Sequence, residues 1–432
     1  TAEMQTQNTF VNSGWDFDQT WMILSEGFTY PRLAWNTVEV DSWADLNNMR
    51  NNMYANYVLT RDLLTTNFDY AELAGPEANG GEGWIPIGTG ENPFMGTFDG
   101  DGFTIDGLTI NRPEECFQGL IGFSRDISIV NVNLTNTYLT ALCDSGGLAG
   151  GVVSYRNVVV NNSHVSGYIE QGQNDSGGAI GIISGVSASI VNSSFDGTVV
   201  AGNLAGGFLG SFNGNRLQIV GSHSSGLIHW NDLANDVGGF VGQIGGRGYI
   251  SIINSYSSTD LDFVDVSDVG GFAGLITTSQ LEIIDSYSSG NITVDEGVYS
   301  IGGFAGSTSS GNHIIRNSYS TSDIVITNGG NIVGGFIAIS SGSYDVDGLY
   351  STSNITLESG SLDQSGGLFG ILAGGGTLNR MYTTGNISAP EGMMVGGLIG
   401  RLDNLPVSNS YAQGDVDIAN GEYIGGLIGQ VT

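Results

Sequence analysis

Few residues in this chain could do chemistry: two cysteines, four histidines and scattered carboxylates among 432 residues. Two cysteines are too few for a cysteine-rich metal site. His313 has no acidic or cysteine partner at metal-ligand spacing. His229 has Asp232 three residues on, a weak pair of potential ligands. Asp99, Asp101 and Asp106 surround a turn at Gly100 and Gly102, and Asp260, Asp262, Asp265 and Asp268 form a later run. Clustered carboxylates can bind calcium. Neither cluster has the EF-hand pattern, so turn-forming aspartates on a solvated face are the simpler account, with calcium at Asp99, Asp101 and Asp106 as the alternative. No other cofactor is indicated. No serine sits in a Gly-x-Ser-x-Gly elbow with an evident base, and there is no phosphate loop. No catalytic residue is assigned. Seven Asn-x-Ser/Thr sites, at Asn133, Asn161, Asn174, Asn192, Asn291, Asn354 and Asn386, are candidates for glycosylation.

The elements that hold these residues announce themselves through glycine, at 70 residues. A pair of glycines, two apolar or small residues and usually another glycine recur along the chain. Examples are Gly206-Gly207-Phe208-Leu209-Gly210 and Gly302-Gly303-Phe304-Ala305-Gly306. With the second glycine as marker, the copies fall at 119, 147, 178, 207, 239, 271, 303, 335, 367, 397 and 426, in steps of 28 to 32 residues. A second column runs in phase, 14 to 17 residues after each marker but the last: Asn133, His164, Ser194, His223, Tyr256, Tyr287, Tyr319, Tyr350, Tyr382 and Tyr411. His164 and His223 are therefore read as members of this column. Around it, phrases such as Ile252-Ile253-Asn254-Ser255-Tyr256-Ser257 are rich in serine, threonine and β-branched residues, with Gly, Asn or Asp at short intervals. That is strand and turn chemistry, with no helical period.

These features predict an all-β protein, a parallel β-helix or solenoid of about eleven coils with a short N-terminal capping helix. One repeat cannot bury its apolar face alone, whereas stacked coils pair each strand with its equivalents on either side. At about 4.8 Å per coil the rod would be roughly 50 Å long. The glycine motif belongs where one wall approaches another or where a turn needs positive φ. Cys116 and Cys143 occupy nearly equivalent places on neighbouring coils, a separation that suits a disulfide, with two free buried thiols as the alternative. Closing that loop would contribute roughly 3 kcal/mol.

The charge balance excludes several partners. Forty-three acidic residues stand against 11 basic ones, all arginine, for a net charge of −32. Such a chain repels nucleic acid and anionic membranes, and no apolar run is long enough to insert in a bilayer. Absence of lysine together with excess acid points to a salt-loving host. The chain opens without a recognisable leader, so a secretion signal is expected outside this window.

The glycine motif resembles the GLUG motif of bacterial and archaeal surface proteins, which include adhesin-like proteins and some streptococcal immunoglobulin A peptidases. Modules of that family open with a short helix, a strand phrase, a tryptophan-proline-glycine phrase and a glycine-rich turn. The matching segments here are Ser42-Trp43-Ala44-Asp45-Leu46, Tyr57 to Leu63, Gly83-Trp84-Ile85-Pro86-Ile87-Gly88 and Gly96 to Gly102. Independently, Ser42 and Asp45 look like a capping box, and Trp43, Leu46, Met49 and Met53 form an apolar stripe. The family order departs at the start. Residues 1–40 carry Phe10, Trp15, Phe17, Trp21, Phe28, Tyr30 and Trp35, and resemble a closing segment placed first.

The reading divides the chain into an aromatic-rich closing or inter-module segment over 1–40, a capping helix and first strand over 41–75, and a GLUG-type solenoid over 76–432. The resemblance implies a non-enzymatic, secreted or cell-surface structural or adhesive protein. Its copies would join head to tail as a filament or as tandem modules, with surface glycans or other cells as further partners. The alternative is a carbohydrate-active parallel β-helix enzyme or glycan-binding module. A lyase of that kind needs a basic proton acceptor, which a lysine-free chain with scattered arginines supplies poorly.

Overall fold

The computed structural model describes residues 6–15, 21–22, 32–33, 37–200, 202–296, 299–329, 332–403 and 405–432. It is a parallel β-solenoid of about ten turns, with a few short helices near the N-terminus. Eleven glycine markers delimit ten complete intervals, which reconciles this with the repeat count.

One turn shows how the sequence makes the coil. After Gly271, the strand Ala273–Ile284 runs along two walls, bending between them. Asp285 then takes the left-handed conformation at φ 49° and turns the chain into the next wall, Tyr287–Ser288 followed by Ile292–Glu296. Ser300–Gly302 completes the circuit. The same left-handed corner recurs at Asn131, Asn162, Asn192, Gly221, Asn254, Asn317, Gly348, Arg380 and Asn409. Asn, Asp and Gly tolerate this conformation best, which explains why they punctuate the phrase before the tyrosine.

The residue after the corner is usually a buried serine, and its hydroxyl has a fixed task. Ser193 Oγ accepts the backbone N–H of Ser163 at 3.1 Å, Ser222 Oγ that of Ser193 at 3.1 Å, and Ser255 Oγ that of Ser222 at 3.2 Å. Amides that the corner removes from the strand ladder are thus satisfied by the following turn. Leu349 and Met381 interrupt this column.

The paired glycines serve close approach and not positive φ, since the motif glycines are absent from the left-handed region. A Cβ on Gly302 would lie 1.7 Å from Ala305 O, and one on Gly303 would lie 2.2 Å from Gly335 O of the next turn. Across the interior, small hydroxyl residues meet the same glycines: Ser224 Oγ donates to Gly239 O at 2.7 Å and Thr383 Oγ1 to Gly397 O at 2.8 Å. Beside the motif, Phe208, Phe240, Phe272, Phe304 and Phe336 form a fully buried stack with centroids 4.8–5.1 Å apart.

At the N-terminal end the expected helix is present as Trp43–Asn48. Ser42 Oγ accepts Asp45 N–H at 3.1 Å and donates to Asp45 Oδ2 at 2.6 Å. Asp69 Oδ2 accepts Ala44 N–H at 2.9 Å, adding a second acceptor at the helix start. Trp43, Leu46, Met49 and Met53 are buried against the first turn. Trp84 lies beneath Trp43, donates its Nε1–H to Leu120 O at 3.1 Å and carries Arg50 over its ring. Of the aromatic N-terminal segment, Phe10 and Trp15 pack on each other at 4.8 Å. Phe17, Phe28, Tyr30 and Trp35 lie outside the described residues, and of Trp21 only the backbone strand with Arg32–Leu33 is described.

Candidate functional site

The tyrosine column is a continuous outer stack. His223, Tyr256, Tyr287, Tyr319, Tyr350, Tyr382 and Tyr411 lie face to face, with centroids 4.7–5.3 Å apart and nearly parallel planes. The rings are half-buried, because each covers the faces of its neighbours and leaves an edge to solvent. Desolvation, and then neighbouring phenols, push the hydroxyls of Tyr287, Tyr350 and Tyr382 above the ordinary tyrosine value. His164 joins the column without stacking on His223, since Ser194 stands between them and shares a 2.8 Å hydrogen bond with His164 Nδ1. Burial lowers the basicity of both histidines.

Four residues beyond each tyrosine runs a second outer column that sequence reading missed: Asp260, Asn291, Asp323, Asn354, Asn386 and Asp415. Its side-chain oxygens accept backbone N–H groups from the next turn. Asp260 Oδ1 takes Asn291 N–H at 2.8 Å, Asp323 Oδ1 takes Asn354 N–H at 2.9 Å, Asn354 Oδ1 takes Asn386 N–H at 3.0 Å and Asn386 Oδ1 takes Asp415 N–H at 2.9 Å. Recurring Asn or Asp at this offset was the available signal. Along the column lies a groove of about 440 Å³ bordered by Asp323, Val325, Asn354, Thr356, Asn386 and Ser388.

The structure sorts the other candidates. Cys116 and Cys143 are direct partners on adjacent turns, Cα atoms 4.5 Å apart, and form the disulfide. The three turn aspartates do not converge. Asp99 Oδ1 accepts Asp101 N–H and Asn131 Nδ2–H at 2.8 and 3.0 Å, whereas Asp106 Oδ1 accepts Thr135 Oγ1–H and Asn136 Nδ2–H at 2.8 and 2.7 Å. Among the described residues, no three His, Cys, Asp or Glu side chains gather closely enough to hold a metal ion. Their oxygens serve turn and ladder hydrogen bonds. His229 faces Asp262 on the next turn, and the Asp232 side chain lies outside the described residues. His313 is buried between the walls, 3.2 Å from Thr308 Oγ1 and stacked on Tyr344, and burial lowers its pKa to about 4.

A further pair was not singled out in the sequence. Asp236 is buried beside Asp268 on the next turn and accepts Gln243 Nε2–H at 2.6 Å. Burial, then the Asp268 charge, raises its pKa to about 6. Asp175, hydrogen-bonded to Ser211 Oγ at 2.5 Å, is likewise raised to about 6 by burial. Both sit just before the glycine motif, where the chain leans inward.

No protein-family model matches the chain. It is 31% identical over 131 residues to a protein of Evansella cellulosilytica provisionally named a Gly-rich membrane protein, covering 30% of this chain and 14% of that one. It is 29% identical over 180 residues to halomucin of Haloquadratum walsbyi, covering 41% of this chain and 2% of halomucin. The chain therefore matches only small fractions of these relatives. A Bacteroides ovatus structure, provisionally titled an immunoglobulin A1 protease, aligns over 74% of this chain and 77% of its own at 17% identity and a TM-score of 0.39. No helix among the described residues is long and apolar enough to cross a membrane.

Proposed function

We propose that this chain is part of an extracellular, non-enzymatic repeat rod of the GLUG type, with a structural or adhesive role at a cell surface. The observation that carries this reading is the regularity of the outer face. Tyrosine faces and Asn/Asp side chains are spent on contacts between turns, so these outer columns chiefly build the rod. The partial likenesses to a Gly-rich membrane protein and to halomucin support a surface setting. The net charge of −32 without lysine supports a high-salt one, where solvated carboxylates keep neighbouring rods apart.

On this reading the 1–40 segment closes or links modules, and copies stand head to tail, as tandem modules or as a filament. Surface glycans or other cells would be the adhesive targets. Electron microscopy of native surface material tests the assembly: uniform fibres or beaded rods are expected, and isolated compact particles would overturn it. Deleting residues 1–40 should abolish end-to-end joining, and an unchanged assembly would remove that segment's role. Glycan turnover by the purified protein would replace the structural reading with an enzymatic one. Unfolding below molar salt is expected, and indifference to salt would overturn the halophilic setting.

A further inference from the structure

The seven Asn-x-Ser/Thr sites are equal in sequence and unequal in space. At Asn161, Asn174 and Asn192 the hydroxyl two residues on is covered: Ser163 and Ser176 are 0% exposed, and Ser194, on the outer column between His164 and His223, is 9% exposed. Ser163 Oγ is held by Asn161 O at 3.1 Å, and Ser194 by His164. At Asn133 both halves are engaged, with Asn133 Nδ2 donating to Thr104 Oγ1 at 2.8 Å and Thr135 Oγ1 to Asp106 Oδ1 at 2.8 Å. Asn291, Asn354 and Asn386 differ. Each stands exposed on the outer Asn/Asp column, the intervening Ile292, Ile355 or Ile387 points into the core, and Thr293, Thr356 or Ser388 returns to the outer face. In an extended strand, residues two apart share a face, so amide and hydroxyl present together.

Within this set the amide nitrogens are also unequal. Asn354 Nδ2 donates to the Asp323 carboxylate at 3.1 Å. Asn354 and Asn386 are consecutive members of the column, so their backbones lie about 4.8 Å apart. Asn291 stands two turns from Asn354, with Asp323 between. Neither Asn291 Nδ2 nor Asn386 Nδ2 makes a hydrogen bond among the described residues.

We propose that Asn291 and Asn386 are N-glycan acceptors on the folded rod, that Asn354 is spared, and that the glycans project from one edge. The proposal does not depend on whether the rod is structural or adhesive. The substrate class is a lipid-linked oligosaccharyl phosphate presented by a separate transferase. The amide nitrogen bonds to the anomeric carbon, the carbon–oxygen bond to phosphate breaks, the amide proton passes to a base of the transferase, and the lipid phosphate departs. Asp323 holds Asn354 against this attack, and a glycan on Asn386 one turn away covers it.

Glycopeptide mass spectrometry of protein isolated from its native surface tests this. Near-complete occupancy at Asn291 and Asn386 is expected, with at least tenfold less at Asn354, Asn133, Asn161, Asn174 and Asn192. In the double variant Asn386→Gln with Asp323→Ala, occupancy should move to Asn354, while Asn386→Gln alone should leave it low. Similar occupancy at Asn161, Asn174 or Asn192 would show modification before folding and overturn the proposal. So would an unmodified chain, or equal occupancy of Asn354 and Asn386. Circular dichroism of each variant, with the wild-type β signal expected, separates lost acceptors from lost fold.

Discussion

Ser286 Oγ accepts the backbone N–H of Ser255 from the preceding turn at 3.2 Å, while both residues are essentially buried. The same hydroxyl donates to Ile284 O at 2.8 Å. One side chain thus satisfies two backbone groups at a corner where the strand ladder is interrupted.

Replacing Ser286 by alanine should strand the Ser255 amide in the interior. The expected loss is about 1–3 kcal/mol, read as a lower urea midpoint. Ser289→Ala, at a partly exposed position on the outer face, should change the midpoint little. Equal effects of the two substitutions would show that the buried ladder contributes nothing of its own.

Gly303→Ala places a methyl 2.2 Å from Gly335 O, in a wall that meets backbone and not a flexible side chain. Overpacking of this kind costs about 1–3 kcal/mol or more, and a clear drop in melting temperature is expected. Gly426 has no atom within 4 Å of the same position. In this 432-residue chain, Gly426→Ala should melt with the parent.

Two of the buried titrating groups, Asp236 and His313, pull stability in opposite directions with pH. Asp236 is raised from 3.8 to about 6, so the fold favours its neutral form. Its contribution is full below pH 4 and is lost as pH rises through 6. His313 is lowered from 6.5 to about 4, so its contribution is full above 6.5 and is lost as pH falls toward 4. Asp236→Asn should therefore raise the melting temperature at pH 7 to 8 relative to pH 4. His313→Leu, a residue type found at the paired position Leu281, should relieve the loss at pH 4 to 5. Parallel melting-temperature profiles for parent and both variants would refute these assignments.

Reduction of Cys116–Cys143, or substitution of both by serine, should lower stability by roughly 3 kcal/mol for a loop of this size. The bond joins two early turns, so proteolysis should begin near residues 113–145 in the reduced protein. Cleavage that starts elsewhere would place the weak point outside the linked turns.

The fold was legible because its signals are invariant in kind. Glycine is required wherever a Cβ would strike the next turn, and Tyr256 to Tyr411 repeat because stacked rings favour rings. The left-handed corner was harder to see. Asn254, Asp285, Gly348 and Arg380 share one conformation under four names, so sequence showed punctuation and not a column. The serine ladder hid among many other serines, since only burial separates Ser286 from Ser289. The perturbed acids were illegible for a related reason. Asp236 owes its state to burial and then to Asp268 on the next turn, an environment set by coil stacking and not by local spacing.

The parallel ladders have a mechanical consequence. Their hydrogen bonds run from turn to turn, along the rod axis, so tension between the two ends loads them a few at a time. The rod should then peel turn by turn, as a zipper does, and not shear as one block. Each released turn of 28 to 32 residues frees about 100 Å of chain, giving a regular sawtooth under an atomic-force cantilever. A single rupture of the whole array would contradict this. A cell holding on by such a rod would have a tether that lengthens under load before it breaks.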